Sequence, residues 1–342
     1  MPERQSRPAA ILCVDGGNSK ADLALVAADG RLLAAVHGSS ISHQAVTVDR
    51  AMANLRASAA EMGRLVGEFE FPIARLGVYA LAGADYPSDL RLLRRGIGAL
   101  ELTDEVVILN DTFGAMRAGT TRPWGLVLIC GRGINAAAVA PNGRSARFDA
   151  VGPFSGDWGG GLAIGYAAHG AAVRARDGRG PKTSLERLIP AHFGLRSPTA
   201  LTRALYHGQI PEERLSEVAP IAFEAAGTGD AVARSIVDRL ADELITMARA
   251  LLRRLRMTRL DPEVVLAGGV FSTTEPGFYA RLDSGIHDAA PAARIVRLAA
   301  PPVLGPALIG LDRLSPTGAA NPRAADALRS ALEAWASGRL RP

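Results

Sequence analysis

Two glycine turns constrain this chain more than any other feature. The first is Asp15-Gly16-Gly17-Asn18-Ser19-Lys20 and the second is Cys130-Gly131-Arg132-Gly133-Ile134-Asn135. Each follows an apolar run, Ala9 to Val14 and Gly125 to Ile129, and each opens another, Ala21 to Ala28 and Ile134 to Ala140. The second run of each pair reaches a dipeptide, Asp29-Gly30 or Asn142-Gly143. Such dipeptides suit a two-residue hairpin because both central positions need positive φ. The order strand, glycine turn, strand, turn, strand thus occurs twice at similar spacing, which reads as an internal duplication. Two glycine-rich hairpins facing each other would offer backbone N–H groups to one anion, such as a polyphosphate. The plain alternative is a pair of ordinary β-hairpins in two sheets; the presence of both turns, with Asp15 at the first, weighs for the phosphate reading.

Periodicity supplies the elements around these turns. Strands are expected at 9–15, 21–28 and 31–37. Met52, Leu55, Ala59, Met62 and Val66 recur at helical spacing in Val48 to Val66. A strand from Arg75 to Leu81 ends in Ala82-Gly83-Ala84-Asp85; a helix over Tyr86 to Leu100, a strand over Glu105 to Leu109 and a helix over Thr112 to Ala118 follow. The second half repeats the plan: a meander over 125–151, a helix over Leu162 to Arg176, short helices at Ser184 to Ile189, Pro198 to Tyr206 and Pro211 to Ala226, and a long helix over Asp230 to Met257. Strand 263–267, helix 276–289, strand 294–298 and helix 303–313 then restore the order of the first half, and a last helix spans about 322–336. The expectation is an α/β chain of two βββαβαβα units. Domain limits are expected at 1–112 and 113–314, with a helical insertion over 161–228 and residues 315–342 packing back on the first domain.

A length of 342 residues suits two domains of about 150. With 48% hydrophobic and 21% charged residues the chain has a large core and is not disordered. The formal charge is +5, and the basic excess is arginine, since Lys20 and Lys182 are the only lysines. No basic run interleaves with aromatics, so nucleic acid is not expected as a partner. A mildly basic surface favours phosphorylated small molecules instead. Cys13 and Cys130 show no Cys-x-x-Cys spacing and read as buried, reduced thiols. Met1 to Pro8 lacks the apolar region of a signal peptide, and no stretch is long enough to span a membrane. A cytoplasmic location is the expectation. Ala/Gly-rich domains of this kind are compatible with a homodimer.

There is no Gly-x-x-x-x-Gly-Lys-Ser/Thr and no strand-borne Gly-x-Gly-x-x-Gly, which leaves the paired hairpins as the nucleotide candidate. Gly17, Asn18 and Ser19 would present N–H groups and a hydroxyl to phosphate, with Gly16 and Lys20 completing that set. Asp15 could reach Mg²⁺ through water, because this ion keeps several waters; its bland role is a turn cap. Asp111, with Asn110 at a strand's carboxyl end, is the candidate catalytic base: phosphoryl transfer needs one carboxylate to accept the acceptor's hydroxyl proton. The competing role is the N-cap of the next helix. Asp157, after Ser155-Gly156, could orient a vicinal diol, or again cap a helix. Ser42-His43 lies in a polar loop after the first meander. Gly268-Gly269 ends a strand where backbone could pass close to a flat ring such as adenine.

Taken together, Asp15-Gly-Gly-Asn-Ser-Lys20, Asn110-Asp111, Cys130-Gly-Arg-Gly-Ile-Asn135, Ser155-Gly-Asp-Trp-Gly-Gly160 and Leu266-Ala-Gly-Gly269 resemble the N-acetylglucosamine kinase and BadF/BadG-type ATPase family, over about residues 9–313. That family lies within the actin/hexokinase/Hsp70 superfold. The resemblance implies a two-domain actin-like (ribonuclease H-like) fold closing over ATP and a sugar, with a cleft between the domains. It implies Asp111 as general base, Ser19 and Gly131, Arg132 and Gly133 at the phosphates, Gly268 and Gly269 by the adenine. Ser42, His43, Asn110, Gly152, Gly156 and Asp157 would then bind the sugar. Two positions depart from the family: Arg132 stands where Thr is frequent, and Trp158 where Glu is frequent. Arg132 would clamp phosphate or crowd it; Trp158 would face a sugar ring or pack inside. The expected activity is ATP-dependent phosphorylation of an amino sugar such as N-acetylglucosamine at its 6-hydroxyl. The alternatives are an ATPase activator holding an iron–sulfur cluster between subunits, and a sugar sensor without catalysis.

Overall fold

A computed structural model describes residues 9–67 and 70–339, so the expectation for Met1 to Pro8 lies outside the described residues. In chain order the first elements are β1 (Ile11–Gly16), β2 (Lys20–Val26), β3 (Leu32–Ser39), α1 (Val48–Val66), β4 (Ala74–Leu81), α2 (Pro87–Gly98), β5 (Thr103–Asn110) and α3 (Asp111–Gly119). Next come β6 (Gly125–Cys130), β7 (Ile134–Val139) and β8 (Ser145–Arg147), then α4 (Gly160–Asp177), α5 (Leu185–His192), α6 (Pro198–Tyr206), α7 (Ala219–Gly227) and α8 (Ala231–Arg254). The chain closes with β9 (Glu263–Ala267), α9 (Pro276–Ala289), β10 (Arg294–Arg297), α10 (Leu304–Leu314) and α11 (Pro322–Ala336).

The duplication is visible in the sheets. One has the order β3-β2-β1-β4-β5 and the other β10-β9-β6-β7-β8. Counted within each repeat, both read third, second, first, fourth, fifth. In the first sheet β1 pairs antiparallel with β2 and parallel with β4. The meander supplies the antiparallel edge and the helical crossovers supply the parallel strands.

The chain divides into two compact units. One runs to Gly125 and resumes at Leu298; the other is Leu126–Arg297. The limits expected at 112 and 314 are therefore displaced. Residues 113–125 and α10 belong to the first unit, because α10 packs its apolar stripe on that unit's sheet. Val303, Ala307, Leu308 and Leu311 share a core with Ile11, Cys13, Leu76 and Val78. Leu328, Leu332 and Trp335 of α11 join the same core. The opposite face of β1 sends Leu12 and Val14 into a second core with Met52, Leu55, Ala59 and Met62 of α1 and Leu93 and Ile97 of α2. Alternate side chains point to opposite faces of a strand, so a strand buried on both faces reads as one unbroken apolar run.

In the second unit, α8 buries Ile236, Leu240, Leu244 and Leu251 along one stripe. The helix expected over Pro211 to Ala226 is broken in two, a 3₁₀ helix at Glu212–Val218 and then α7. Pro220 lies in the first turn of α7, where its missing N–H costs nothing, but it cannot sit inside a continuous helix. The third strand of the second meander is short, Ser145–Arg147. Among the described residues no helix is long and apolar enough to cross a membrane.

Candidate active site

Strand register brings one set of candidates to a single edge of the first unit. Gly16 lies opposite Leu81, and Leu81 opposite Asn110, so β1, β4 and β5 end in one row. The antiparallel pairing of Lys20 with Ser39 puts the first glycine turn and the loop after β3 at the same edge. Asp15, Lys20, Ser42, Asp85, Asn110 and Asp111 therefore cluster where the strands' carboxyl ends give out, the usual position of ligand sites in α/β sheets.

Asp15 is half-buried on β1. Burial, followed by the like charges of Asp111 and Asp22, pushes its carboxyl up to about 8, against the lowering effect of Lys20. Asp15 and Asp111 are thus close enough to repel each other. Two such carboxylates are hard oxygen donors of one sign, the kind that Mg²⁺ takes one or two at a time. Asp22, opposite Asp15 in the β1–β2 pairing, is 3% exposed. Its Oδ2 accepts from Lys20 Nζ at 2.8 Å, and its Oδ1 lies 2.7 Å from His37 Nδ1. His37 stacks on Trp335 of α11 at 4.2 Å. Gly16 is a packing residue: Ile41 and Leu81 fill the space of its missing side chain. Asn18, Ser19 and Lys20 are exposed at the turn, and Gly17 accepts from Ser40 Oγ through its carbonyl.

The helix cap at this edge is Asn110, not Asp111. Asn110 Oδ1 accepts from the Thr112 N–H at 3.1 Å and from Thr112 Oγ1 at 2.6 Å. Capping therefore does not account for Asp111, the first helical residue. Asn110 Nδ2 donates to Asp85 Oδ1 at 2.9 Å, and Gln44 Nε2 donates to Asp85 Oδ2 at 3.1 Å. Ser42 is 1% exposed, and its Oγ accepts from the Gln44 N–H. His43 is mostly covered, with Nε2 3.9 Å from Asp89 Oδ1, and its buried Nδ1 has no hydrogen-bond partner. Asp85, Gln44 and Asp22 carried no role in the sequence reading. The only signals were an acid just past a strand's carboxyl end and an acid inside an apolar strand.

The second glycine turn belongs to the other unit. Gly131 N–H donates to Gly133 O, while Gly161 and Leu162 at the start of α4 donate to Gly131 O and Arg132 O. Gly268, at φ 104°, lets β9 end against this turn; a Cβ there would come within 2.5 Å of Cys130 O. Beside the turn lies a cavity of about 770 Å³, lined by Gly131, Arg132, Gly269, Phe223, Glu224 and Thr228 among others. A Cβ on Gly131 or Gly269 would meet no protein atom within 4 Å, so the space their side chains leave is open to a ligand. A nucleotide fits these features. Gly133 is exposed and lies outside the cavity lining, as does Gly268. Arg132 is exposed, and its Nη2 lies 3.7 Å from Glu213 Oε1 on the 3₁₀ helix.

Gly152, Gly156 and Asp157 form a closed loop in the second unit. Asp157 Oδ2 accepts from the Gly152 N–H at 3.1 Å and from Ser155 Oγ. That oxygen holds its own loop in shape. Trp158 is half-buried, with the Arg239 guanidinium 3.9 Å over its ring. Both cysteines are buried within strands. Burial drives the Cys13 thiol far above its ordinary range and pushes Cys130 up to about 12, against a hydrogen bond from Gly160.

The chain is similar to known sugar kinases. The N-acetylmuramic acid/N-acetylglucosamine kinase of Clostridium acetobutylicum is 27% identical over 77% of this chain and 85% of its own length. The N-acetyl-D-glucosamine kinase of Dictyostelium discoideum is 27% identical over 87% of this chain and 97% of its own. An N-acetylglucosamine kinase candidate from Chromobacterium violaceum shares the fold, with a TM-score of 0.66 at 20% identity, over 89% of this chain and 99% of that one. The architecture is the α/β, actin-like (ribonuclease H-like) one, which the duplicated sheet order also displays. Residues 12–310 match the BadF/BadG/BcrA/BcrD ATPase family, and the chain belongs to it.

Proposed function

We propose that this protein transfers the γ-phosphoryl group of ATP to a hydroxyl of an amino sugar, N-acetylglucosamine or a close relative, at the 6-position. The observation that carries the reading is Asp111, a carboxylate at the carboxyl end of β5, outside the helix cap and within electrostatic reach of Asp15. The two curated relatives, kinases of N-acetylglucosamine and N-acetylmuramic acid, support the sugar class.

In this reading Asp111 accepts the proton of the sugar hydroxyl as its oxygen attacks phosphorus. The cavity beside Gly131 and Gly269 holds the nucleotide, and Arg132 adds a cation on the phosphate side. Asp15 would hold Mg²⁺, and the exposed Asn18, Ser19 and Lys20 would be free to meet a phosphate. When bound, Mg²⁺ neutralises charge on the transferred group. Ser42 and His43 contact the sugar; the buried, unpartnered His43 Nδ1 gains a partner from a ligand hydroxyl. The reaction belongs to the cytoplasm, where ATP is abundant. The activator reading needs thiols that can share a cluster between subunits, and neither Cys13 nor Cys130 is exposed.

The test is ADP release from ATP–Mg²⁺ against N-acetylglucosamine, N-acetylmuramic acid, N-acetylmannosamine, glucosamine and glucose. Stimulation by an N-acetylated sugar is expected. Turnover indifferent to every sugar would point to an ATPase serving a protein partner and defeat the kinase reading.

A further inference from the structure

We infer that Asp85 is a positioning residue for the phosphoryl acceptor, tying the Ser42–Gln44 loop to the cap of α3 so that the sugar hydroxyl meets Asp111 in one geometry. The inference rests on the kinase reading above.

Three segments distant in sequence meet at this carboxylate. Its Oδ1 takes Asn110 Nδ2 at 2.9 Å and its Oδ2 takes Gln44 Nε2 at 3.1 Å. Asn110 is 4% exposed and spends its own oxygen on two donors of Thr112. Its amide nitrogen is left to donate, and Asp85 receives it. That network allows one orientation of the Asn110 amide, and with it one entry direction for Asp111. On the other side, Gln44 directly follows Ser42 and His43. The loop carrying Asp85 is pressed against them: a Cβ on Gly83 would come within 2.9 Å of Gln44 Cδ and 3.0 Å of His43 Cε1. The same stretch holds the buried His43 Nδ1 without a partner, a polar atom that a bound sugar would satisfy. A carboxylate can accept from both amides together, whereas Asn in its place turns a donor towards one of them.

The experiment uses the full chain with N-acetylglucosamine as acceptor. Asp85→Asn is expected to lower kcat/KM for the sugar by about 10- to 100-fold, the loss typical of a charge-assisted hydrogen bond. The loss should appear in both kcat and sugar KM, while the ATP dissociation constant measured by calorimetry stays near wild type. Gln44→Ala, at an exposed position, should act in the same direction more weakly. The double variant should be no worse than Asp85→Asn, because both changes cut the same tie. If Asp85→Asn does not fold, the sugar KM of Gln44→Ala decides alone. Unchanged sugar kinetics in both variants, or an equal loss of ATP affinity, would overturn the inference while wild-type sugar phosphorylation still stands. Absence of sugar-dependent turnover in the wild type would overturn the kinase reading itself, and this inference with it.

Discussion

Gly305 at the start of α10 lies so close to Gly114 of α3 that a Cβ on Gly305 would be driven into the Gly114 carbonyl. Two helices separated by nearly two hundred residues of sequence meet there backbone to backbone. Gly305→Ala must push them apart, and overpacking of this kind costs about 1–3 kcal/mol. Urea unfolding should show a lower midpoint for Gly305→Ala. Gly98→Ala, whose Cβ meets nothing within 4 Å, is the control and should be neutral or slightly stabilising. Equal midpoints for Gly305→Ala and wild type would refute the close contact.

Asp111→Asn keeps the size of the side chain and removes the base. Sugar-dependent ADP release should fall by about 10²- to 10⁴-fold. Since Asn110 supplies the cap, the folded structure should survive, and thermal unfolding checks that. Near-normal turnover by Asp111→Asn would exclude it as the base.

Arg132 faces Glu213 across 3.7 Å, and both side chains are largely exposed. An exposed pair is worth at most about 1 kcal/mol, so Glu213 competes only weakly with a phosphate for the guanidinium. Glu213→Gln should tighten ADP binding about two- to fivefold, and Arg132→Thr should weaken it by a similar factor. Neither change should alter adenosine binding, because it has no phosphate. Calorimetry at low and high salt checks this, and the differences should shrink as salt rises. An adenosine response as large as that of ADP would show that Arg132 serves the base and not the phosphates.

Acid should weaken the second unit through two carboxylates. Hydrogen bonds from Arg234 hold Glu275 down to about 2, from an ordinary 4.5, with further donors at the start of α9. For Asp230 burial works the other way, but donors from Ser184, Ala233 and Thr183 prevail and hold it at about 2, from 3.8. Both groups have folded values below their unfolded ones. Their contribution is therefore complete above about pH 4.5 and is lost as the pH falls towards 2. Calorimetric melting temperatures should drop over that window. Glu275→Gln should be less stable at neutral pH and less sensitive to acid. A Glu275→Gln profile parallel to wild type would rule out this source.

The duplicated strands, the hairpins and the helices were legible in the sequence because each is a local matter. The alternation of β1 follows from backbone geometry and the stripe of α8 from helical pitch. The two dipeptides do mark turns, but not the two-residue turns with both φ positive that were expected: only Gly30 and Gly143 take positive φ, 89° and 80°, and the Ala27 and Ala140 N–H groups reach across to Arg31 O and Arg144 O, closing longer loops. Asp111 stood out because it follows a strand end directly. The tertiary structure alone decided what those elements meet. Nothing in the spacing of α10 says which sheet its Ala307 and Leu308 will cover, since an apolar stripe fits any apolar face of the right shape. Likewise Asp85 looked like one acid in a turn. It becomes a junction only because parallel pairing puts Leu81 and Asn110 in one row and brings the loop after β3 to the same edge. Local periodicity selects the faces; packing between segments far apart in the chain selects the partners.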